Sequence, residues 1–404
     1  MRRSVWLVVL AIVVLVGVYG VLRQPDEVGS PGDNVETLEP PEEVPEGILV
    51  DEIPVGADLI FVSMRYVLDD LACLDEEYML KADWLGDAEC IKLIYSEDFS
   101  ITSSPRQLYT LDIETGEVVQ LTNVGYDFSS SKPIDITRIM AIGAEEDTDG
   151  DGIVGTGDEV NIYVVDLASK EIECLTDGLG LREFNNPDYS QANGLIVFSA
   201  QRQELFHNYL FTLSLDGELT QVTDDDEYFD FDCSWSEDGS MIVFNRLPSP
   251  ESSSLLPSKV WLMDADGSNM VQISEGGSNP DDEGPLWGMH PIGLDADPDL
   301  SPDNSQVVFS RLRTGLMNEP FGIYDLVVHD IESGEETVLD SSYANMVPEW
   351  KSQGIVFVRQ KKIGDRAVDL KQSIHVYING ELRDLEPYPF NVFPIGSNGA
   401  SWVE

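Results

Sequence analysis

Apolar and polar residues alternate in short bursts along most of this chain, and the bursts repeat. A five-residue apolar segment centred on Phe recurs as LIFVS (59–63), IVFSA (196–200), IVFNR (242–246), VVFSR (307–311) and IVFVR (355–359). A second apolar segment follows it, in places after an insertion: LYTLD (108–112), IYVVD (162–166), LFTLS (210–214), VWLMD (260–264) and VVHD (327–330). β-Branched and aromatic residues bounded by turn residues predict strands in both. A third segment ends at Leu121-Thr122, Leu175-Thr176, Val222-Thr223, Ile273-Ser274 and Leu339-Asp340. From Asp112, Asp166, Asp264 and Asp330 to that terminal apolar residue the step is nine each time. A constant step predicts a two-stranded hairpin of fixed length, and ETGE, SLDGE, DADGS and ESGE supply its turn glycine.

A leading segment with an aromatic residue or Leu comes before each Phe strand: PDYS (187–190), CSWS (233–236), PDLS (298–301) and PEWK (348–351). Four-stranded units repeating at roughly fifty residues predict radial repetition, a propeller. Five units end near residues 123, 177, 224, 275 and 340, and HVYINGELRDLE (375–386) makes a degenerate sixth. The first unit starts at LIFVS and lacks a leading strand, while GASWVE (399–404) offers one, with Trp402 where Trp235 and Trp350 stand. The predicted fold class is therefore all-β. It is a six-bladed β-propeller over residues 57–404, closed by pairing of the C-terminal strand with the first blade. Closure removes strand edges that would otherwise invite aggregation.

WSEDGSMIVF (235–244) and LSPDNSQVVF (300–309) resemble the W-S-P-D-G-x-x-I-x-F motif of TolB-type (WD40-like) propeller repeats. The resemblance covers about residues 57–404. It implies an exported or periplasmic propeller. TolB carries an α/β domain ahead of its propeller, at the end where this chain has an apolar run and a tether. Prolyl peptidases pair a similar propeller with a hydrolase domain, but this sequence has no G-x-S-x-G elbow.

At the N-terminus Arg2 and Arg3 precede an apolar run from Val5 to Leu22, closed by Arg23. As a helix, such a run would span roughly 27 Å, close to a hydrocarbon core, and it predicts a transmembrane helix over residues 1–23. Val18-Tyr19-Gly20 is a poor cleavage site, so an anchor is expected in preference to a cleaved signal. The paired arginines place the body on the extracytoplasmic side. Residues 24–56, rich in Pro, Glu and Gly, are a tether.

Charge narrows the partners. With 23 basic and 75 acidic residues the formal charge is −52, which argues against nucleic acid and favours cations. At 42% apolar residues the chain can still fill a core. Four cysteines are present. Cys73 and Cys90 flank an insertion and could form a bridge, whereas Cys174 and Cys233 are expected to be plain packed residues, and the pairing stays open.

The sharpest chemistry lies in DTDGDGIVGTGDE (147–159). Asp147, Asp149 and Asp151 occupy positions one, three and five of an EF-hand loop. Gly152 permits the turn, Ile153 offers its carbonyl, and Asp158 stands at position twelve. A hard cation needs six to eight oxygens, so the loop predicts a calcium site. Its flanks read as strands, so the expected role is structural rather than that of a helix-opening sensor.

Other acids, Asp225, Asp226, Glu227, Asp230 and Asp232 and then Asp295, Asp297 and Asp299, precede leading strands. At this net charge they are expected to be solvated loop charge, with convergence on the channel as the alternative. The four histidines show no metal spacing, and His329 takes a packing position. Trp287 and Met289, in a long insertion, are candidate contact residues or channel covers. No nucleophile–base set emerges, so the expected function is a non-catalytic scaffold for a protein or glycan partner. The alternative is a propeller hydrolase or lyase with channel acids.

Overall fold

The computed structural model describes residues 46–63, 105–150, 154–155, 157–202, 207–248, 258–276, 294–314, 323–342, 344–362, 370–385 and 399–403. The described chain begins with β1 (Gly47–Ile48), β2 (Leu59–Ser63), β3 (Gln107–Leu111), β4 (Val118–Gln120) and β5 (Thr122–Asn123). Three antiparallel meanders follow. The first is β6 (Asp127–Pro133), β7 (Arg138–Ala144), β8 (Asn161–Asp166) and β9 (Glu171–Cys174). The second is β10 (Leu181–Ser190), β11 (Leu195–Arg202), β12 (Asn208–Ser214) and β13 (Leu219–Gln221). The third is β14 (Tyr228–Trp235), β15 (Met241–Pro248), β16 (Lys259–Asp264) and β17 (Val271–Gln272). Then come β18 (Asp295–Leu300), β19 (Gln306–Thr314), β20 (Ile323–Asp330) and β21 (Glu336–Asp340). Last are β22 (Ala344–Lys351), β23 (Gly354–Lys362), β24 (Leu370–Ile378), β25 (Glu381–Asp384) and β26 (Ala400–Trp402).

The fold is an all-β propeller, and its expected description needs correction on two points. The expectation of six separate blades is overturned, because among the described residues only four separate four-stranded sheets are present. These are β26-β2-β3-β4, β6–β9, β10–β13 and β14–β17. Strands β18–β25 instead form one eight-stranded sheet, and β1 pairs with β5 in a two-stranded one. The physical cause is a free edge. β21 covers β20 only from Leu326 to His329, and the parallel pairing of Tyr324 with Ala344 then joins β22 to the uncovered start of β20. The Asn345 side chain donates to the Tyr324 carbonyl (3.0 Å) and braces the joint. The second correction concerns the expected N-terminal transmembrane helix. No helix occurs among the described residues, and none there is long and apolar enough to cross a membrane. Residues 1–45 lie outside the described residues.

Closure takes the expected form. β26 pairs antiparallel with β2, placing Trp402 opposite Leu59 and Ala400 opposite Phe61. The Trp402 side chain is buried with Leu59, Phe61, Val356 and Val358.

The repeated hairpin has a local explanation. The aspartate ending the third strand accepts N–H bonds from the turn it opens: Asp112 from Glu114 and Thr115, Asp166 from Ala168 and Ser169, Asp330 from Ser333. These are Asx turns, which set the hairpin length. The Thr or Ser nine or ten residues later returns the chain to its start. Thr122, Thr176, Thr223 and Ser274 accept the N–H of Leu108, Ile162, Leu210 and Val260 at 2.8–3.0 Å. Between sheets the core is filled by the Phe strand, with Phe61, Phe198, Phe244, Phe309 and Phe357 all fully buried.

Candidate functional site

The leading strands β6, β10, β14, β18, β22 and β26 face one another around the axis, each touching the next. All but β26 carry a bulge. In four of them one bulge residue is left-handed: Asn186 (φ 45°), Asp232 (φ 46°), Asp297 (φ 50°) and Val347 (φ 50°). Asn and Asp tolerate this conformation, while a β-branched Val adopts it only under constraint from its surroundings. The bulge breaks the alternation of faces, so the residues beside it point where a simple strand pattern would not place them.

Each leading strand contributes a side chain to a ring, and on β10, β14, β18 and β22 that residue is the first paired one after a bulge. Asp188, Ser234, Asp299 and Glu349 stand opposite Val197, Val243, Val308 and Val356, Lys132 stands opposite Met140, and Ser401 opposite Ile60. Hydrogen bonds and one ion pair run around this ring. Asp188 accepts the Trp235 N–H (2.8 Å), and Ser234 donates to Asp299 (2.7 Å). Asp299 accepts the Trp350 N–H (2.6 Å), and Glu349 accepts the Trp402 N–H (3.1 Å). Ser401 donates to the Ser131 carbonyl (3.1 Å). Lys132 completes the circuit, paired with Glu349 on one side and with Asp188 (3.4 Å) on the other. Asp188, Asp299 and Glu349 are each only 4% exposed.

Buried charge of this kind is tolerable only when paired and hydrogen-bonded. Burial alone would lower the Lys132 pKa, but Glu349, Asp188 and Asp299 outweigh it and raise it above its ordinary value. Burial pushes the Asp299 carboxyl up to about 6, against the opposing pull of Lys351 and Lys132. Beside the ring lies a cleft of about 40 Å³ whose walls include Lys132, Trp235, Lys351 and Trp402. Its interior has room for a few waters.

The reading of Asp230, Asp232, Asp295, Asp297 and Asp299 as solvated loop charge is corrected. All lie on β14 and β18, and Asp230, Asp295 and Asp299 are buried. Asp230 holds Arg246 through two bonds, Nε at 2.6 Å and Nη2 at 2.8 Å, and Asp295 holds Arg311 in the same way. Asp225, Asp226 and Glu227 are exposed. Lys132, Asp188 and Glu349 were not singled out in the sequence, yet P-D-Y, P-D-L and P-E-W put an acid at one repeated position.

In the acidic loop, Asp147, Asp149 and Asp158 bring a carboxylate oxygen each within 4.8 Å of one another. Asp151 and Ile153 lie outside the described residues. The flanks are strands, β7 and β8, as expected. Asp158 Oδ1 accepts the Thr148 N–H (2.6 Å), the Asp149 N–H (3.2 Å) and the Thr148 hydroxyl (3.2 Å), and Oδ2 accepts the Gly155 N–H (2.8 Å). Burial raises the Asp158 carboxyl, but the N–H groups of Gly155, Thr148 and Asp149 outweigh it and leave its pKa lowered. An oxygen with three donors has no lone pair for a metal, so Asp158 fits a cation through Oδ2 alone. Gly157 (φ 122°) is required here, because a Cβ would come within 2.5 Å of the Asp149 carboxylate.

Ser373, His375 and Asp384 group together on β24 and β25, but not as a relay. Ser373 Oγ (2.8 Å) and Asp384 Oδ1 (3.8 Å) approach the same ring nitrogen, Nε2. A triad needs the acid on the other nitrogen. His329 is buried, as expected for packing. Cys174 (half-buried) and Cys233 (buried) are free thiols, while Cys73, Cys90, Trp287 and Met289 lie outside the described residues.

No family model matches the sequence, and no curated protein matches it. Solved structures do share its fold. TolB from Acinetobacter baumannii aligns with a TM-score of 0.54 and 13% identity, over 87% of this chain and 68% of that one. A putative TolB from Agrobacterium tumefaciens gives 0.50 and 16%, over 72% and 90%. Hydrazine synthase from Kuenenia stuttgartiensis gives 0.52 and 13%, over 87% of this chain and 47% of that one. At these identities the likeness is one of fold, that of a TolB-type propeller.

Proposed function

We propose that this chain is a non-catalytic propeller scaffold working outside the cytoplasm, where it binds a partner protein and carries a structural calcium ion in the loop at 147–158. The observation that supports this reading is the axial ring. Its carboxylates are each taken by a neighbouring strand's N–H, and two of them also by Lys132, so the chemistry at the axis is spent on holding sheets together. Recognition then falls to the acidic surface and its loops, which favour a basic partner face. Residues 1–23 are the membrane-directed segment in this reading, and 24–56 the spacer.

A capture experiment with the full chain, with and without calcium, tests it. A protein partner retained in stoichiometric amount supports the scaffold. Retention of a glycan alone, or turnover of a peptide or polysaccharide library, overturns it. The enzyme alternative draws its support from the half-buried Asp297 carboxyl, pushed up by burial to about 6, the range of a general acid near neutral pH.

Calcium is tested separately. Saturating calcium at about a hundred times its Kd should stabilise the wild type by about 2.7 kcal/mol. Asp147→Ala should lose most of that gain in a thermal melt. A wild-type melting temperature indifferent to calcium removes the ion from the proposal.

A further inference from the structure

We propose that Asn379 is a site of spontaneous covalent modification: the Gly380 nitrogen displaces its side-chain amide, and the isoaspartate that follows releases β25 from the rim of the eight-stranded sheet.

The last hairpin is built unlike the five before it. In those, a residue at the tip donates its N–H back to the carbonyl of the residue ending the third strand. Gly116 donates to Asp112 (2.9 Å), Lys170 to Asp166 (3.0 Å), Gly217 to Ser214 (2.9 Å), Gly267 to Asp264 (2.9 Å) and Gly334 to Asp330 (2.8 Å). Between β24 and β25, Ile378 pairs with Glu381, and Asn379 and Gly380 alone make the turn. Both are left-handed (φ 53° and 82°), as a type I′ turn requires, and Asn-Gly is a favoured pair for it. Neither the Gly380 N–H nor the Asn379 amide has a hydrogen-bond partner among the described residues. Both residues are exposed, and a Cβ built on Gly380 would meet nothing within 4 Å, so the space beside the attacking nitrogen is open.

A second copy of the dipeptide supplies the contrast. Asn193 and Gly194 stand at the turn between β10 and β11. There the Gly194 N–H donates to the Ser190 carbonyl (2.9 Å). Asn193 Nδ2 donates to the Gly239 carbonyl (3.1 Å), and Oδ1 accepts the Leu195 N–H (3.0 Å). Nucleophile and amide are both held. In a third copy, Asn398-Gly399, the asparagine lies outside the described residues.

The reaction consumes water and no other reagent. The Gly380 nitrogen bonds to Asn379 Cγ, the Cγ–Nδ2 bond breaks, and ammonia leaves carrying the displaced proton. Water then opens the five-membered imide. Cleavage of the new bond restores the main chain with an aspartate. Cleavage of the original peptide bond routes the main chain through Cγ, as isoaspartate. No group is oxidised or reduced. Either product adds a negative charge beside Glu381 and Asp384, both exposed. The isoaspartate also lengthens the backbone by one carbon, which a two-residue turn has no slack to absorb. The pairings from Ile378 with Glu381 to His375 with Asp384 then lose their register. All of β25 is exposed, so this end of the sheet opens at low cost, both for the reaction and after it.

Peptide mass mapping of the folded full chain, held for weeks near neutral pH, tests the proposal. The Asn379 peptide should gain about 1 Da and resolve into two chromatographic forms, at a rate at least about tenfold that of the Asn193 peptide. In denaturant the two copies should convert at similar rates. Equal rates in the folded chain, or a folded Asn379 rate under about a tenth of its denatured rate, overturn the assignment. Asn379→Gly keeps residues suited to the turn but has no amide to lose. Aged wild type should melt below fresh wild type, while aged Asn379→Gly should match its fresh sample. An equal drop in both chains overturns the release of β25.

Discussion

Lys132→Ala is expected to destabilise the fold by about 3–5 kcal/mol, the cost of stripping one partner from a buried ion pair. Lys132 is the one ring member carrying positive charge, and it bridges Glu349 and Asp188, both buried. Its removal leaves two buried carboxylates held only by backbone N–H groups and by the field of Lys351. The loss should be measurable as a lower urea midpoint at unchanged slope. Lys132→Ala combined with Glu349→Gln should then cost less than the two single changes together, with a coupling of up to about 3 kcal/mol. Strict additivity would mean that the pair contributes nothing. The Lys132 term should also be flat with pH through neutrality. Its pKa is raised in the fold, so its contribution is complete below the ordinary lysine value and fades only above it.

Trp402→Ala should cost about 3–5 kcal/mol, as for other large aromatic side chains cut from a core. Trp402 is 2% exposed and shares one buried cluster with residues from two sheets, Leu59 and Phe61 from its own and Val356 and Val358 from the next. Cutting here also weakens the three-residue strand that covers the edge of β2. We therefore expect a second symptom, concentration-dependent association through the LIFVS edge, seen as earlier elution in size-exclusion chromatography. Trp402→Phe should retain much of the packing and stay monodisperse at the same concentration. If Trp402→Ala melts within a degree or two of the wild type, β26 is not what holds the first sheet closed.

The hairpins were legible in the sequence because their determinants are local. An aspartate that caps its own turn and a hydroxyl that returns to the strand start fix a constant spacing, and spacing survives in a string of letters. The closing strand was legible for the opposite reason: a unit lacked its leading strand and the chain end supplied one. The joint at Tyr324 and Ala344 left no trace in the pattern. It consists of a single pairing made possible by how far β21 fails to extend. The ring was hidden because its position is filled by Lys, Asp, Ser and Glu, which share a place but not a type. The acids on β14 and β18 were misplaced because a bulge interrupts the period of two, and a broken alternation reads as a loop. In the acidic loop the spacing pointed to Asp147, Asp149 and Asp158, whose carboxylates do lie close together, but not to Asp158 spending one oxygen on backbone N–H groups.

Pairing of β26 with β2 sets an order on assembly. The sheet that receives the first propeller strand cannot be finished until residues 400–402 arrive, so some three hundred and forty residues must emerge before it is sealed. Until then LIFVS waits with one side bare, whether on the ribosome or at the mouth of a translocation channel. Folding of this chain is therefore a race between delivery of its last strand and capture of that bare side by a neighbour, and a chaperone that shields residues 59–63 would decide the yield more than one that acts anywhere else.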